Sequence, residues 1–201
     1  MAIITLPSNL GIAEFSWGCT DYELEESSDA TGDSAARIIG PPRWTAHIVS
    51  KENMELDQAA KWENLILSLR GDNVLAMYDI VRTAPQGSMR GSPTLTSTLA
   101  VGDTSATFTS ASGTLKQGDL LQIGTGLGTS QLIKIAADLT FPATVTFNNP
   151  IRKSISAGAA IQWDKPVAYF RRVNRAATLG TYKLDGLGQG DFAIDLMERF
   201  G

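Results

Sequence analysis

Apolar and polar positions alternate from Arg43 to Ser50, with Trp44, Ala46 and Ile48 on one face and Thr45 and His47 on the other. A period of two marks a strand with one buried face. The pattern then changes. Asn53 is placed to cap a helix that runs to about Arg70, where Gly71 stops it, and Val74 to Val81 is extended again. At about 100° per residue, Asp57, Lys61, Asn64 and Ser68 fall on one narrow polar stripe of that helix. Leu56, Ala59, Ala60, Ile66 and Leu67 form an apolar face, Trp62, Leu65 and Leu69 extend it well to one side, and only Glu63 interrupts it. An arc this wide exceeds what covering one sheet requires. Either the helix is buried between sheet and loops, or its Trp62, Leu65 and Leu69 side meets a neighbouring subunit.

Before the Trp44 strand, the pattern is extended and irregular. Ile12 to Trp17 is a candidate strand with Phe15 and Trp17 on one side, and Glu23 to Asp33, acidic and Ser-rich, reads as an exposed loop. Pro41 and Pro42 stiffen the approach to Trp44, since each fixes φ and removes a donor. After Ala84-Pro85-Gln86-Gly87 the composition shifts to Gly, Ser, Thr and short apolar pairs. The spacing predicts strands at Leu95–Leu99, Ala106–Thr109, Leu120–Ile123, Gln131–Ile135, Thr144–Asn148 and Ala159–Trp163, the rhythm of a small barrel or sandwich. Val167 to Val173 is extended, Gly186 to Gly190 is glycine-rich, and Phe192, Ile194, Leu196 and Phe200 alternate near the end. That last segment is too apolar to stand alone and is expected to complete the sheet begun before the insert. The predicted architecture is therefore mainly β. Residues 1–87 and 166–201 form a discontinuous β-sandwich with one helix, interrupted by a small β-barrel over 88–165.

Composition removes more functions than it adds. Across 201 residues, 43% are hydrophobic and 19% charged, with a net charge of −4. That balance argues against a protein whose main role is gripping nucleic acid. No apolar run approaches the roughly 20 residues that span a bilayer, so no membrane insertion is expected. The first residues, Met1 to Pro7, lack the basic and apolar regions of a signal peptide. Cys19 is alone, which fits assembly in a reducing cytoplasm, and one His with one Cys cannot build a Cys/His zinc site. No cofactor is expected.

Catalytic vocabulary is equally sparse. Any Ser-His-Asp or Cys-His arrangement must use His47, which lies on an alternating strand with no G-x-S-x-G turn anywhere in the chain. Asp21 and Glu23 near Cys19 disfavour a thiolate. Gly124-Thr125-Gly126-Leu127-Gly128 lacks the third glycine of a G-x-G-x-x-G phosphate loop and is expected to form a hairpin. Arg70-Gly71-Asp72 reads as a helix end and turn. Asp103 and Asp119 each follow a glycine at a predicted turn, where aspartate accepts a backbone N–H. Arg171, Arg172 and Arg175 form the one basic cluster and suit a solvated or interface role better than phosphate binding. No enzyme is predicted.

Several segments together carry a family likeness. They are Pro42-Arg43-Trp44-Thr45-Ala46, the helix ending Leu69-Arg70-Gly71-Asp72, Val74-Leu75-Ala76-Met77-Tyr78, Ala84-Pro85-Gln86-Gly87, the run Leu115 to Ile123, and Asn149-Pro150-Ile151-Arg152. Their order resembles the distal tail proteins of long, non-contractile-tailed bacteriophages and of related prophages and gene transfer agents. The likeness covers most of the chain from Arg43 onward. It implies a discontinuous β-sandwich with a helix, and an inserted barrel of the oligonucleotide/oligosaccharide-binding (OB) type. It also implies a homo-oligomer, a hexameric ring joining the tail tube protein to the hub and tip proteins of the baseplate. DNA would pass through that ring without specific binding. The location implied is the tail tip of the virion, after assembly in the bacterial cytoplasm. Trp62, Leu65 and Leu69 are the candidate subunit contacts. The rival expectation is a carbohydrate-binding module in the insert, taking a cell-surface glycan on an aromatic platform among Phe108, Phe141, Phe147 and Trp163. A hydrolase is the third and weakest.

Overall fold

A computed structural model describes residues 1–27, 34–173, 181–182 and 189–200. Among them the chain is mainly β with a single helix, as the pattern predicts. In order, the first elements are β1 (Ile3–Thr5), β2 (Ile12–Ser27), β3 (Ser34–Ser50), α1 (Leu56–Ser68) and β4 (Val74–Tyr78). Nine short strands follow. They are β5 (Thr94–Leu95), β6 (Ser105–Ala106), β7 (Phe108–Thr109), β8 (Thr114–Leu115), β9 (Leu120–Ile123), β10 (Gln131–Lys134), β11 (Leu139–Thr140), β12 (Val145–Thr146) and β13 (Ile161–Gln162). The chain closes with β14 (Val167–Arg172), β15 (Thr181–Tyr182), β16 (Gln189–Gly190) and β17 (Ala193–Glu198).

The chain divides into two compact units. The first comprises Met1–Thr20, Arg43–Met77 and Tyr169–Arg199. The second comprises Asp21–Pro42, Tyr78–Ala168 and Phe200–Gly201. Residues 21–42, assigned to the first domain from sequence, thus group with the second unit, and its main segment begins at 78 rather than 88.

The strands of the first unit belong to a six-stranded sheet in the order β1-β4-β14-β17-β3-β2. β1 runs parallel to β4, with Ile3 opposite Val74. β17, last in sequence, is interior. It pairs antiparallel with β3, Ile194 opposite Ile48 and Leu196 opposite Ala46, and with β14, Arg172 opposite Leu196. Alternation decides which side chains are enclosed: Trp44, Ala46 and Ile48 on β3 and Ile194 and Leu196 on β17 are all buried. Asp195 and His47, on the other face, meet at 2.7 Å.

α1 closes the core. Trp62 stacks on Phe192, centroids 5.8 Å apart and planes 10° from parallel, and its indole N–H donates to the Leu10 carbonyl at 2.6 Å. The polar stripe holds an i,i+4 pair, Lys61 to Asp57 at 2.6 Å. Both helix ends differ from expectation by a residue or two. The N-cap is Glu55, which makes no side-chain cap bond. Asn53 instead takes φ of +55° in the preceding turn, a conformation asparagine tolerates. At the other end, the Asn73 side-chain amide donates to the Ser68 carbonyl and Gly71 turns the chain at φ +63°.

The acidic stretch was also misjudged. β2 continues to Ser27, so Glu23–Ser27 is strand rather than loop; 28–33 lie outside the described residues. Asp21, Glu23 and Glu25 alternate with Tyr22 and Leu24, and that period outweighs the acidic composition. Pro41 and Pro42 are accommodated because the β17 ladder covers only Thr45–Val49 of β3, so their missing N–H groups cost that pairing nothing.

In the second unit the strands do not close into a barrel. β10-β9-β13 form a three-stranded sheet, and β11-β8, β12-β6 and β5-β7 are two-stranded ladders. They enclose a core that includes Met89, Leu95, Leu115, Leu121, Ile133, Val145 and Phe147. Glycine is obligatory at two crossings. A Cβ on Gly87 would lie 2.1 Å from the Thr114 carbonyl oxygen, and one on Gly124 2.3 Å from that of Thr129. At the surface, Lys116 and Asp138 pair at 2.7 Å. The ammonium and the Gln117 N–H hold the Asp138 carboxyl below the usual carboxylate range, and the Asp138 bond raises the Lys116 ammonium in turn.

Trp62, Leu65 and Leu69 are not subunit contacts presented to solvent. They are 0%, 1% and 4% exposed within their own chain. The side of the arc that projected beyond one face is buried within the chain, with Leu10 and Phe192 contacting Trp62; Leu56 and Leu67 are the exposed leucines of the helix. Truncation should therefore act on folding. Trp62→Ala is expected to destabilise the folded chain by about 3–5 kcal/mol in urea titration monitored by circular dichroism, with no change in oligomeric mass of the fraction that remains folded.

Candidate functional site

The residues singled out for chemistry fall into structural roles. Asp119 is buried, and its carboxylate accepts backbone N–H groups from Gln86 at 2.8 Å, Gly87 at 3.3 Å and Lys116 at 2.8 Å. Asp103 accepts the Ala100 N–H at 2.7 Å. Both thus serve turns, as the Gly-Asp spacing predicts. A third aspartate escaped the sequence reading: buried Asp79 accepts the Val81 and Arg82 N–H groups and pairs with the Arg82 guanidinium at 2.7 Å. Its signal, an aspartate at a strand end two residues before the bonded N–H, is common to many turns. Gly124–Gly128 joins β9 to β10 as the expected hairpin. Cys19 is exposed on β2 and has no disulfide. Among the described residues, no three His, Cys, Asp or Glu side chains are grouped to hold a metal ion, and no helix is long and apolar enough to cross a membrane.

What the fold does assemble is a cationic cleft in the first unit. α1 ends at Ser68, and the turn beyond it carries Leu69, Arg70, Gly71 and Asp72 to the cleft wall; Arg171 and Arg172 end β14, Val173 follows them, and Arg199 is the residue after β17. The enclosed volume is about 490 Å³. Four arginines face one aspartate, in a chain whose net charge is −4. Arg199 bonds both the Asp72 carbonyl, at 2.9 Å, and its carboxylate, at 3.2 Å. Arg172 reaches the Ile66 carbonyl in the last turn of α1 at 3.3 Å, where the helix presents its negative end. Sequence grouped Arg171 and Arg172 with Arg175, which lies outside the described residues. Arg70 and Arg199 join them through the helix end and β17, contacts between positions about a hundred residues apart that no local pattern encodes.

Two further surfaces bear on binding. β2 is the outermost strand of the sheet beyond β3, 16 residues long and free of proline, with an edge that no described strand pairs. In the second unit, Trp163 lines a groove of about 320 Å³ with Ser92, Thr94, Gln162 and Asp164. Its indole N–H donates to the Gly91 carbonyl at 2.7 Å, and the Arg90 guanidinium lies 4.9 Å from the ring centre. Phe147 is core, and the half-buried Phe108 and Phe141 pack on each other and on that core. No protein-family model and no curated protein matches the chain.

Proposed function

We propose that this chain is a structural protein of a phage tail whose copies join head to tail into a closed ring. In that reading it is a distal tail protein, linking the tail tube to the hub and tip proteins at the end of the virion and leaving a channel for DNA. The sequence resemblance set out above motivates it. The observation that carries it is the edge of β2 that no described strand pairs. A long edge strand exposes a row of unsatisfied N–H and C=O groups, and natural sheets blunt such edges with lysines, prolines, bulges or short strands. Over Ile12–Thr20, β2 has no proline and a single charged side chain, Glu14. A neighbouring chain that meets this edge satisfies those groups, and a head-to-tail repeat of one such contact closes if the rotation divides a circle. Trp62, Leu65 and Leu69 lend no support, since they are core.

A second reading, glycan binding by the insert, is favoured by Trp163. It lines a groove together with hydroxyl, amide and carboxylate groups, the combination that holds a sugar ring.

Negative-stain electron microscopy of the purified protein is expected to show annuli with six-fold symmetry; a monomeric mass by light scattering at the highest attainable concentration contradicts the ring. For the glycan reading, millimolar mono- and oligosaccharides should quench Trp163 emission and fail to do so in Trp163→Ala, and an unchanged spectrum across a glycan panel rejects it.

A further inference from the structure

The arginine cleft has a counterpart of opposite sign in the same sequence. Asp21, Glu23 and Glu25 occupy alternate positions of β2, so they share one face of the strand, spaced roughly 7 Å apart. All three are exposed, and no side-chain hydrogen bond or ion pair engages them among the described residues. From Asp21 to Asp33 the sequence holds six acidic residues and no basic one. In the cleft, Arg70 and Arg171 likewise have no side-chain partner among the described residues, while Arg172 and Arg199 are held by the Ile66 carbonyl and by Asp72.

We propose that the Asp21, Glu23 and Glu25 face of one copy docks in the arginine cleft of the next. Guanidinium groups present paired N–H donors that match a carboxylate in two-point contact. A single exposed ion pair contributes little. A row of carboxylates fixed on one strand meets several arginines at once, so the ordering of a long side chain is not repeated for each pair. Arg172 and Arg199, already anchored, position the cleft wall, and Arg70 and Arg171 supply the free forks. Cleft and acidic strand are different surfaces of the chain, so the contact is heterologous and repeats from copy to copy. The inference rests on the ring reading and names the surfaces that make the joint.

Sedimentation velocity tests it with full-length protein. At a concentration where the native chain assembles, R70E/R171E and D21K/E23K/E25K should each sediment as monomers, with native circular dichroism. Mixing the two variants should restore the assembly, because each joint then pairs opposite charges again. Salt at 1 M, where the screening length is about 3 Å, should also dissociate native assemblies. Assembly of R70E/R171E equal to that of the native chain overturns the joint and leaves the ring standing. A native chain monomeric under every condition overturns both. If the native chain retains a DNA duplex that R70E/R171E releases, with assembly unaffected, the cleft serves phosphates and the joint is wrong.

Discussion

The strand made last must fill a place near the middle of the sheet. β17 lies between β14 and β3, and its inward residues Ile194 and Leu196 face the same core as Ala46 and Ile48. Without β17 those residues lose their partners, the β3 ladder ends, and Phe192 is no longer present for Trp62 to stack on. The first unit therefore cannot be complete until the chain has passed through the whole inserted segment and returned. Contacts of such large sequence separation are slow to form, because loop closure precedes the burial that rewards it. The same constraint fixes what remains outside. With β17 interior, β1 and β2 are the flanking strands, and β2 is the longer by far.

Much of this was legible because it is periodic. The alternation of Arg43–Ser50 and of Phe192, Ile194 and Leu196 identifies β3 and β17 and the faces they bury. The need to shelter the second of these implies a discontinuous first unit. Gly-Asp pairs announce the turns that Asp103 and Asp119 hold together. Errors arose where two local signals competed. Acidic, serine-rich composition suggested a loop at Glu23, although period-2 alternation already ran through Asp21–Glu25. Asn53 looked like a cap because asparagine favours that position, yet it also favours the left-handed turn it occupies.

The width of the helix arc was read correctly, and of its two explanations burial within the chain holds, while the subunit contact at Trp62, Leu65 and Leu69 does not. A pattern of apolar positions states how much surface seeks cover, not which chain supplies it. Here Leu10 and Phe192, remote in sequence, contact Trp62, which is fully buried within its own chain. The arginine cleft was hidden for a related reason. It gathers a helix end, the end of β14 and the residue after β17, and the strand pairing of β14 with β17 brings Arg171 and Arg199 to one wall. The contact proposed between copies thus moves from an apolar helix face to polar surfaces: a strand edge that no described strand pairs, an acidic strand face and a basic cleft.

Amide hydrogen exchange along Ile12–Thr20 of β2 tests whether that edge is where copies meet. If it is, the amides pointing away from β3 exchange quickly in dilute protein and become protected when copies associate, while those of β17 stay protected in both states. Equal exchange at these edge amides in dilute and fully associated protein would mean that association takes place elsewhere on the molecule.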